Sequence, residues 1–181
     1  MFIGLKLDAV ELADHDPEWE AFAVQTIEKL RHIFGLVAKD IQHIGSTSIP
    51  GIKAKPIIDI AVSVDDFNKI EPLIPALERN GFNYRGWFIV DRIMVLNAYN
   101  KTGHTHHVHV VKADSEEWND HINFRDYLKA MPLVAKEYEK LKIELSIRNS
   151  YDPGREKYNE GKHNFVKLLL VDAKAWKNNG E

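Results

Sequence analysis

The chain has 181 residues, a formal net charge of -3 at pH 7 and 44% hydrophobic residues. This length and composition favour a single domain with a substantial core, and the charge argues against general nucleic-acid binding. The absence of cysteine excludes disulfide bonds and thiolate zinc sites. Because the first residues do not resemble a signal peptide and no apolar run is long enough to span a bilayer, we expect a soluble cytoplasmic protein without a membrane partner.

The first predicted element is a helix over residues 17–34. Asp16 can cap its start, Pro17 suits the first helical position and Gly35 is a typical stop. The apolar positions that recur at helical spacing are Phe22, Ile27, Leu30 and Phe34. Residues 38–44 then roughly alternate between polar and apolar side chains, which predicts the first strand.

Residues 43–59 are the segment on which the functional prediction depends. Its first part is rich in glycine and hydroxyl residues, which let backbone N–H groups approach a phosphate. Its second part enters a predicted strand, residues 56–64, in which Asp59 is an acid among apolar neighbours. Such a carboxylate needs a partner, either a metal ion or basic and amide groups that order the turn. Because strand residues alternate between faces, Asp59 shares its face with Ala61 and Ser63.

Six residues are the candidate phosphate ligands: Gly45, Ser46, Thr47, Ser48, Lys55 and Arg125. The turn can instead be an ordinary hydroxyl-rich turn that caps a short helix. Lys55 leads into the strand, where its ammonium group can meet an anionic ligand or neutralise Asp59.

Between the two chemically informative strands, residues 65–81 predict a helix that Pro72 and Pro75 kink or split in two. A hairpin or two strands follow over residues 82–98, and a turn follows at residues 100–103.

Residues 104–111 predict a strand that carries four of the nine histidines. Alternation places His107 and His109 on one face. If this strand neighbours the Asp59 strand, then Asp59, His107 and His109 are the catalytic and metal-ligating residues. A carboxylate site favours Mg²⁺ or Mn²⁺, whereas imidazole ligands favour Zn²⁺ or Mn²⁺. The alternative is a pair of solvated histidines on a sheet edge.

From Ser115 onward the pattern is helical, with further helix starts at Pro132 and Asp152-Pro153. Arg125 follows an aromatic residue in the first of these helices, and an arginine can hold phosphate in a bidentate fork. The last helix is expected to bury Phe165, Leu168, Leu169 and Val171. The other basic residues are interpreted as solvated helix faces and the tyrosines as packing residues: Lys129, Lys142, Arg148, Arg155, Lys157, Lys162, Tyr127, Tyr138 and Tyr158.

The predicted fold class is α/β (α+β), with a small mixed β-sheet flanked by helices and a helical C-terminal third. We expect one domain over residues 1–181, with an α/β core at about residues 1–113 and a helical extension at about residues 114–181.

The sequence resembles the GrpB family of bacterial proteins, which is grouped with the nucleotidyltransferase superfamily of polymerase-β type. The matching segments span nearly the whole chain: residues 16–19 (Asp-Pro-Glu-Trp), 43–51 (His-Ile-Gly-Ser-Thr-Ser-Ile-Pro-Gly), 55–60 (Lys-Pro-Ile-Ile-Asp-Ile), 106–111 (His-His-Val-His-Val-Val), 124–128 (Phe-Arg-Asp-Tyr-Leu), 138–142 and 162–165.

The resemblance implies a nucleotidyltransferase-like fold, in which Gly45, Ser46 and Asp59 match the superfamily's Gly-Ser turn and first acid. The second acid of that superfamily lies two residues later, where this chain has Ala61. The main hypothesis is a metal-dependent enzyme that transfers a nucleotidyl or pyrophosphoryl group from a nucleoside triphosphate to a small acceptor.

Two alternatives remain open. One is a non-catalytic module that binds a nucleotide or another phosphorylated ligand. A link to coenzyme A metabolism fits it, because a GrpB-like domain is fused to dephospho-CoA kinase in some bacteria. The other is a metal-dependent hydrolase built on the histidines.

Overall fold

The computed structural model describes residues 3–6, 8–90, 93–101 and 103–180. Its strands are β1 (Ala38–Ile44), β2 (Ile58–Val64), β3 (Asn83–Ile89), β4 (Ile93–Asn100) and β5 (Gly103–Lys112). Its α-helices are α1 (Glu18–Phe34), α2 (Ile74–Arg79), α3 (Glu116–Ala130), α4 (Pro132–Arg148) and α5 (Glu156–Asn178).

The strands form one mixed sheet in the order β1-β2-β5-β4-β3. β2 and β5 are parallel neighbours, and the other pairs are antiparallel. Three helices follow the last strand, so the predicted fold class, a mixed sheet with helices and a helical C-terminal part, is confirmed. None of the helices in the described ranges combines the length and apolar character that crossing a lipid bilayer requires.

Helix α1 covers one face of the sheet. Asp16 accepts a hydrogen bond from the Glu18 backbone N–H (2.9 Å), as expected for a residue that caps the helix start. Trp19 is fully buried (0% exposed) in a cluster that joins α1 to the sheet. The sheet residues in this cluster include Ile58, Ile60, Val62, Val108 and Val110. Their alternation along β2 and β5 leaves Asp59 and His107 for the opposite face.

The C-terminal helices pack near that opposite face and against the loop before β2. Ile49 and Ile52 of this loop are buried in a second cluster with Leu128 of α3, Tyr138 of α4 and Leu169 of α5. The loop is therefore held between the sheet and all three helices. This arrangement positions the Gly-Ser turn beside the C-terminal helices.

Several predicted boundaries differ from the structure. The prolines split the helix predicted at residues 65–81, since 3₁₀ turns at Phe67–Lys69 and Glu71–Leu73 precede α2. Residues 91 and 92 of the predicted hairpin and Thr102 of the predicted turn lie outside the described residues.

The predicted burial of Leu168 and Val171 is wrong, since their side chains are 68% and 61% exposed. The predicted burial of Leu169 is confirmed, and Ala173, four residues later on α5, is buried with it. The apolar stripe that packs therefore includes Leu169 but leaves Leu168 and Val171 on the exposed side of the helix.

Candidate functional site

Asp59, His107 and His109 meet where β2 and β5 pair. Asp59 is the cross-strand partner of His107, and Ala61 is the partner of His109. One ligand atom from each of the three polar residues lies within 4.8 Å of the other two. His107 donates a hydrogen bond from Nδ1 to Asp59 Oδ1 (2.9 Å). The structure thus brings the predicted metal-ligating residues together, and His109 lies beside Ala61.

The electrostatics of this cluster favour a carboxylate beside neutral imidazole. Burial raises the pKa of Asp59, but the hydrogen bond from His107 and nearby positive charge outweigh burial and hold that pKa below its ordinary value. Burial and the neighbouring His121 lower the pKa of His109 to about 3. An ionised carboxylate and a neutral imidazole are the forms that bind metal ions.

Gly45 allows the Gly-Ser turn to lie directly against Asp59. Its φ of 70° lies in the left-handed region that favours glycine, and a Cβ built there would lie 2.9 Å from Asp59 Cβ. The next residue, Ser46, lines the same cavity as Tyr138 of α4. Gly45 and Ser46 therefore place the turn between the acid on β2 and the cavity.

The other two hydroxyl residues of the turn hold the turn itself. Ser48 donates from Oγ to the Gly45 carbonyl (2.6 Å). Thr47 Oγ1 lies 3.0 Å from His43 Nε2, and it donates to the Ile57 carbonyl at 3.4 Å. The alternative interpretation of an ordinary structural turn thus fits these two side chains better than it fits Gly45 and Ser46.

A cavity of about 570 Å³ lies between the sheet and the C-terminal helices. Its lining includes the predicted residues Gly45, Ser46, Thr47, Lys55, Asp59, His107 and His109. It also includes residues without a predicted functional role: His121, Tyr138, Lys142, Tyr158 and Lys162. Its volume is in the range of small-molecule and cofactor sites.

Three lysines line this cavity from separate elements. Lys55 precedes β2, Lys142 is on α4 with 1% of its surface exposed, and Lys162 is on α5. Burial, together with repulsion from Lys162, lowers the pKa of Lys55 and of Lys142 to about 7 in each case. Burial also lowers the pKa of Lys162 to about 8. The cavity therefore places metal-binding groups and a group of lysines around one space.

The interpretation of Lys142 and Lys162 as members of a solvated helix face is wrong. A sequence signal for them exists, because α4 and α5 each place a tyrosine four residues before the lysine. These pairs are Tyr138 with Lys142 and Tyr158 with Lys162. Residues at i and i+4 share a helix face, and both pairs face the cavity.

Arg125 does not line the cavity in the described structure. Its guanidinium donates to Asp126 Oδ1 (2.8 Å), Gln42 Oε1 (2.9 Å) and the His43 carbonyl (3.0 Å). These contacts tie α3 to β1. The predicted phosphate contact of Arg125 lacks geometric support, because Arg125 does not line the cavity and its Nε and Nη1 donors already have protein partners.

Comparison with known proteins gives a consistent family match. A family model described as GrpB protein matches residues 9–171. The glutamate-rich protein GrpB of Alkalihalophilus pseudofirmus is 37% identical over 172 residues, covering 93% of this chain and 98% of that protein. The crystal structure of conserved protein GrpB from Enterococcus faecalis has a TM-score of 0.83 at 32% identity, covering 92% of this chain and 99% of that one.

Two weaker similarities are also found. The Cid1 poly(U) polymerase has a TM-score of 0.49 at 14% identity, covering 71% of this chain and 44% of that chain. A dephospho-CoA kinase of Mycolicibacterium paratuberculosis is 34% identical over 76 residues, which are 40% of this chain and 19% of that protein. Neither similarity identifies an activity for this chain.

Proposed function

The chain belongs to the GrpB family, and from this premise we propose that it binds a nucleoside triphosphate with a divalent metal ion and transfers a nucleotidyl or pyrophosphoryl group to a small acceptor. The observation that carries the proposal is the shared cavity of the Asp59, His107 and His109 cluster and the lysines. Phosphoryl-type transfer needs both kinds of group, because its catalysis is mainly positioning and charge stabilisation.

The donor set at the cluster fits a divalent transition metal. It offers one carboxylate and two imidazoles, which suit Mn²⁺ or Zn²⁺ better than Mg²⁺. Nδ1 of His109 is buried and has no hydrogen-bond partner among the described residues. An unpartnered buried nitrogen in a three-ligand group supports the assignment of Asp59, His107 and His109 as metal ligands.

Each side chain then has a definite role. Asp59, His107 and His109 would hold the metal ion, which would supply polarisation of the phosphate oxygens and offset their negative charge. Asp59 stays ionised, and in the free protein it holds the His107 ring through the hydrogen bond to Nδ1. The Gly45-Ser46 turn offers backbone N–H groups and a hydroxyl to a phosphate, and Lys55 stabilises the charge that develops during transfer.

A non-catalytic nucleotide-binding module is the second candidate. Ala61 favours it, because this fully buried alanine (0% exposed) stands where a second metal-binding carboxylate is expected. Binding with metal but without consumption of the nucleotide would support this candidate over the enzyme.

The substitution Asp59→Asn tests the metal site and the transfer reaction together. We expect Mn²⁺ affinity, measured by calorimetry, to fall by more than about a hundredfold, because the variant replaces a charged ligand with a neutral amide. Any metal-dependent consumption of nucleotide, measured by chromatography, should be lost as well. Asp172→Asn on the exposed face of α5 is the matched control. Unchanged Mn²⁺ binding by Asp59→Asn would contradict the proposal.

A further inference from the structure

We propose, as an extension that rests on the proposed function, that helices α4 and α5 complete a polyphosphate site in which Lys142 and Lys162 act with Lys55. The ligand class is a chain of at least three phosphoryl groups, either free or carried by a nucleoside. One end of the phosphate chain lies against the helices, and the other end lies toward Asp59. When a nucleoside carries the chain, the phosphate bonded to the nucleoside is the one that lies toward Asp59.

The geometry of the lysines and tyrosines is the first support. Nζ of Lys55 and Nζ of Lys162 lie 4.8 and 4.4 Å from the centre of the same Tyr158 ring. Nζ of Lys142 lies 4.8 Å from the centre of the Tyr138 ring. The aromatic rings hold the ammonium groups beside the cavity, while leaving N–H groups for a ligand.

The shortage of acidic partners is the second support. Within the described parts of the chain, Lys55 and Lys162 form no ion pair with a carboxylate, and the attraction of the more distant Asp59 does not offset the burial of either ammonium group. Lys142 donates to the Lys53 carbonyl, which is a neutral acceptor. Like charges gathered in a partly buried space are unfavourable without a counter-charge. A polyanion in the cavity would supply that counter-charge.

Arg155 does not supply a further free cation to the cavity. Its guanidinium donates to the carbonyls of Ala9 (3.1 Å) and Lys6 (2.9 Å), so its donors hold the N-terminal segment. The three lysines remain, and three ammonium groups match the charge of a triphosphate better than that of a single phosphate.

A ligand-binding role and a purely structural role for these lysines predict opposite effects of lysine substitution on the stability of the free protein. The pKa of Lys162 in the folded protein, about 8, lies below its ordinary value of 10.5. The unfolded chain therefore holds the proton more tightly, and a charged Lys162 destabilises the folded state at neutral pH. Removing a ligand-binding lysine should stabilise the free protein, whereas removing a structural one should destabilise it.

Calorimetric titration of the metal-free, full-length protein tests the site directly. We expect inorganic tripolyphosphate to bind more tightly than pyrophosphate, and monophosphate to bind least. Lys142→Met and Lys162→Met should each weaken tripolyphosphate binding by about tenfold or more, since each removes a charged hydrogen-bond donor. ATP should show the same losses if a nucleoside carries the chain. Lys167→Met, an exposed lysine on α5, should bind as the unmodified protein does.

Thermal unfolding provides a second readout that does not depend on a sensitive binding assay. Lys162→Met should raise the unfolding temperature of the free protein and abolish the further rise caused by tripolyphosphate. Absence of tripolyphosphate binding, or normal binding by both lysine variants, would overturn the site. A different result would reject the proposed transfer reaction but keep the polyphosphate site. In that result Asp59→Asn still binds Mn²⁺, whereas the lysine variants lose tripolyphosphate binding.

Discussion

At the scale of single residues, the lysines of the cavity lie near the balance between charged and neutral forms. Burial and mutual repulsion bring the pKa of Lys55 and of Lys142 to about 7, and burial brings that of Lys162 to about 8. The negative charge of Asp59 raises the pKa of Lys55 and of Lys162. The positive charge of Arg155 lowers the pKa of Lys55 further. A bound polyanion favours the charged ammonium form of all three lysines.

Binding of tripolyphosphate should therefore take up protons. Above pH 8 the free lysines are largely neutral, so charging them opposes binding and affinity should fall as pH rises from 7 to 9. At pH 8 we expect uptake of more than about one proton per site. Calorimetry in two buffers with different ionisation enthalpies measures this number. Lys162→Met should reduce the uptake, and proton-neutral binding would contradict the expectation.

Gly45→Ala tests the contact between the turn and the acid. Alanine is strained at the φ of 70°, and its Cβ would also collide with Asp59. We expect a loss of about 2–3 kcal/mol in the free energy of unfolding, measured by urea denaturation, and weaker Mn²⁺ binding. Gly51→Ala is a close control, because Gly51 has a φ of 76° with nothing within 4 Å of its Cβ position. An equal effect of both substitutions on metal binding would argue against the Asp59 contact.

At the scale of elements, the pairing of β2 with β5 determines which side chains meet. Alternation along each strand predicts that Asp59 faces one way and that His107 and His109 share a face. The register between strands is a long-range property, and here it sets Asp59 opposite His107 and Ala61 opposite His109. The polar groups of the candidate site therefore come from two neighbouring strands.

Local sequence signals predict where the elements begin and end better than they predict how the elements pack against one another. The strand Ala38–Ile44 is predicted at its observed boundaries, because its pattern depends on local alternation. The burial of Lys142 depends instead on the packing of α4 against the loop that contains Ile49 and Ile52. A lysine on an amphipathic helix resembles a solvated residue until that packing is known, which is why the contribution of Lys142 to the cationic side of the site was not predicted.

At the scale of the whole molecule, the candidate site draws on both predicted parts of the chain. The sheet provides Asp59, His107 and His109, while α4 and α5 provide Lys142 and Lys162. The predicted division at about residue 113 therefore runs through the cavity. A site of this kind keeps its geometry only if the helices and the sheet remain packed together.

The packing of Ile49 and Ile52 against α3, α4 and α5 predicts a single cooperative unfolding transition for the whole chain. Trp19 reports on the layer between α1 and the sheet, and Trp176 reports on α5, where its ring lies 5.8 Å from that of Tyr127. In a protein that retains only Trp19 of the four tryptophans, and in one that retains only Trp176, the urea midpoint by fluorescence should equal the midpoint by circular dichroism of the same protein. Ile52→Ala should lower both midpoints together by removing about 2–4 kcal/mol of stability, because its side chain joins the sheet-side loop to the helices. Two separated transitions, or a loss confined to the Trp176 signal, would show that the helical extension unfolds independently of the core, and the shared site would then need ligand to hold it closed.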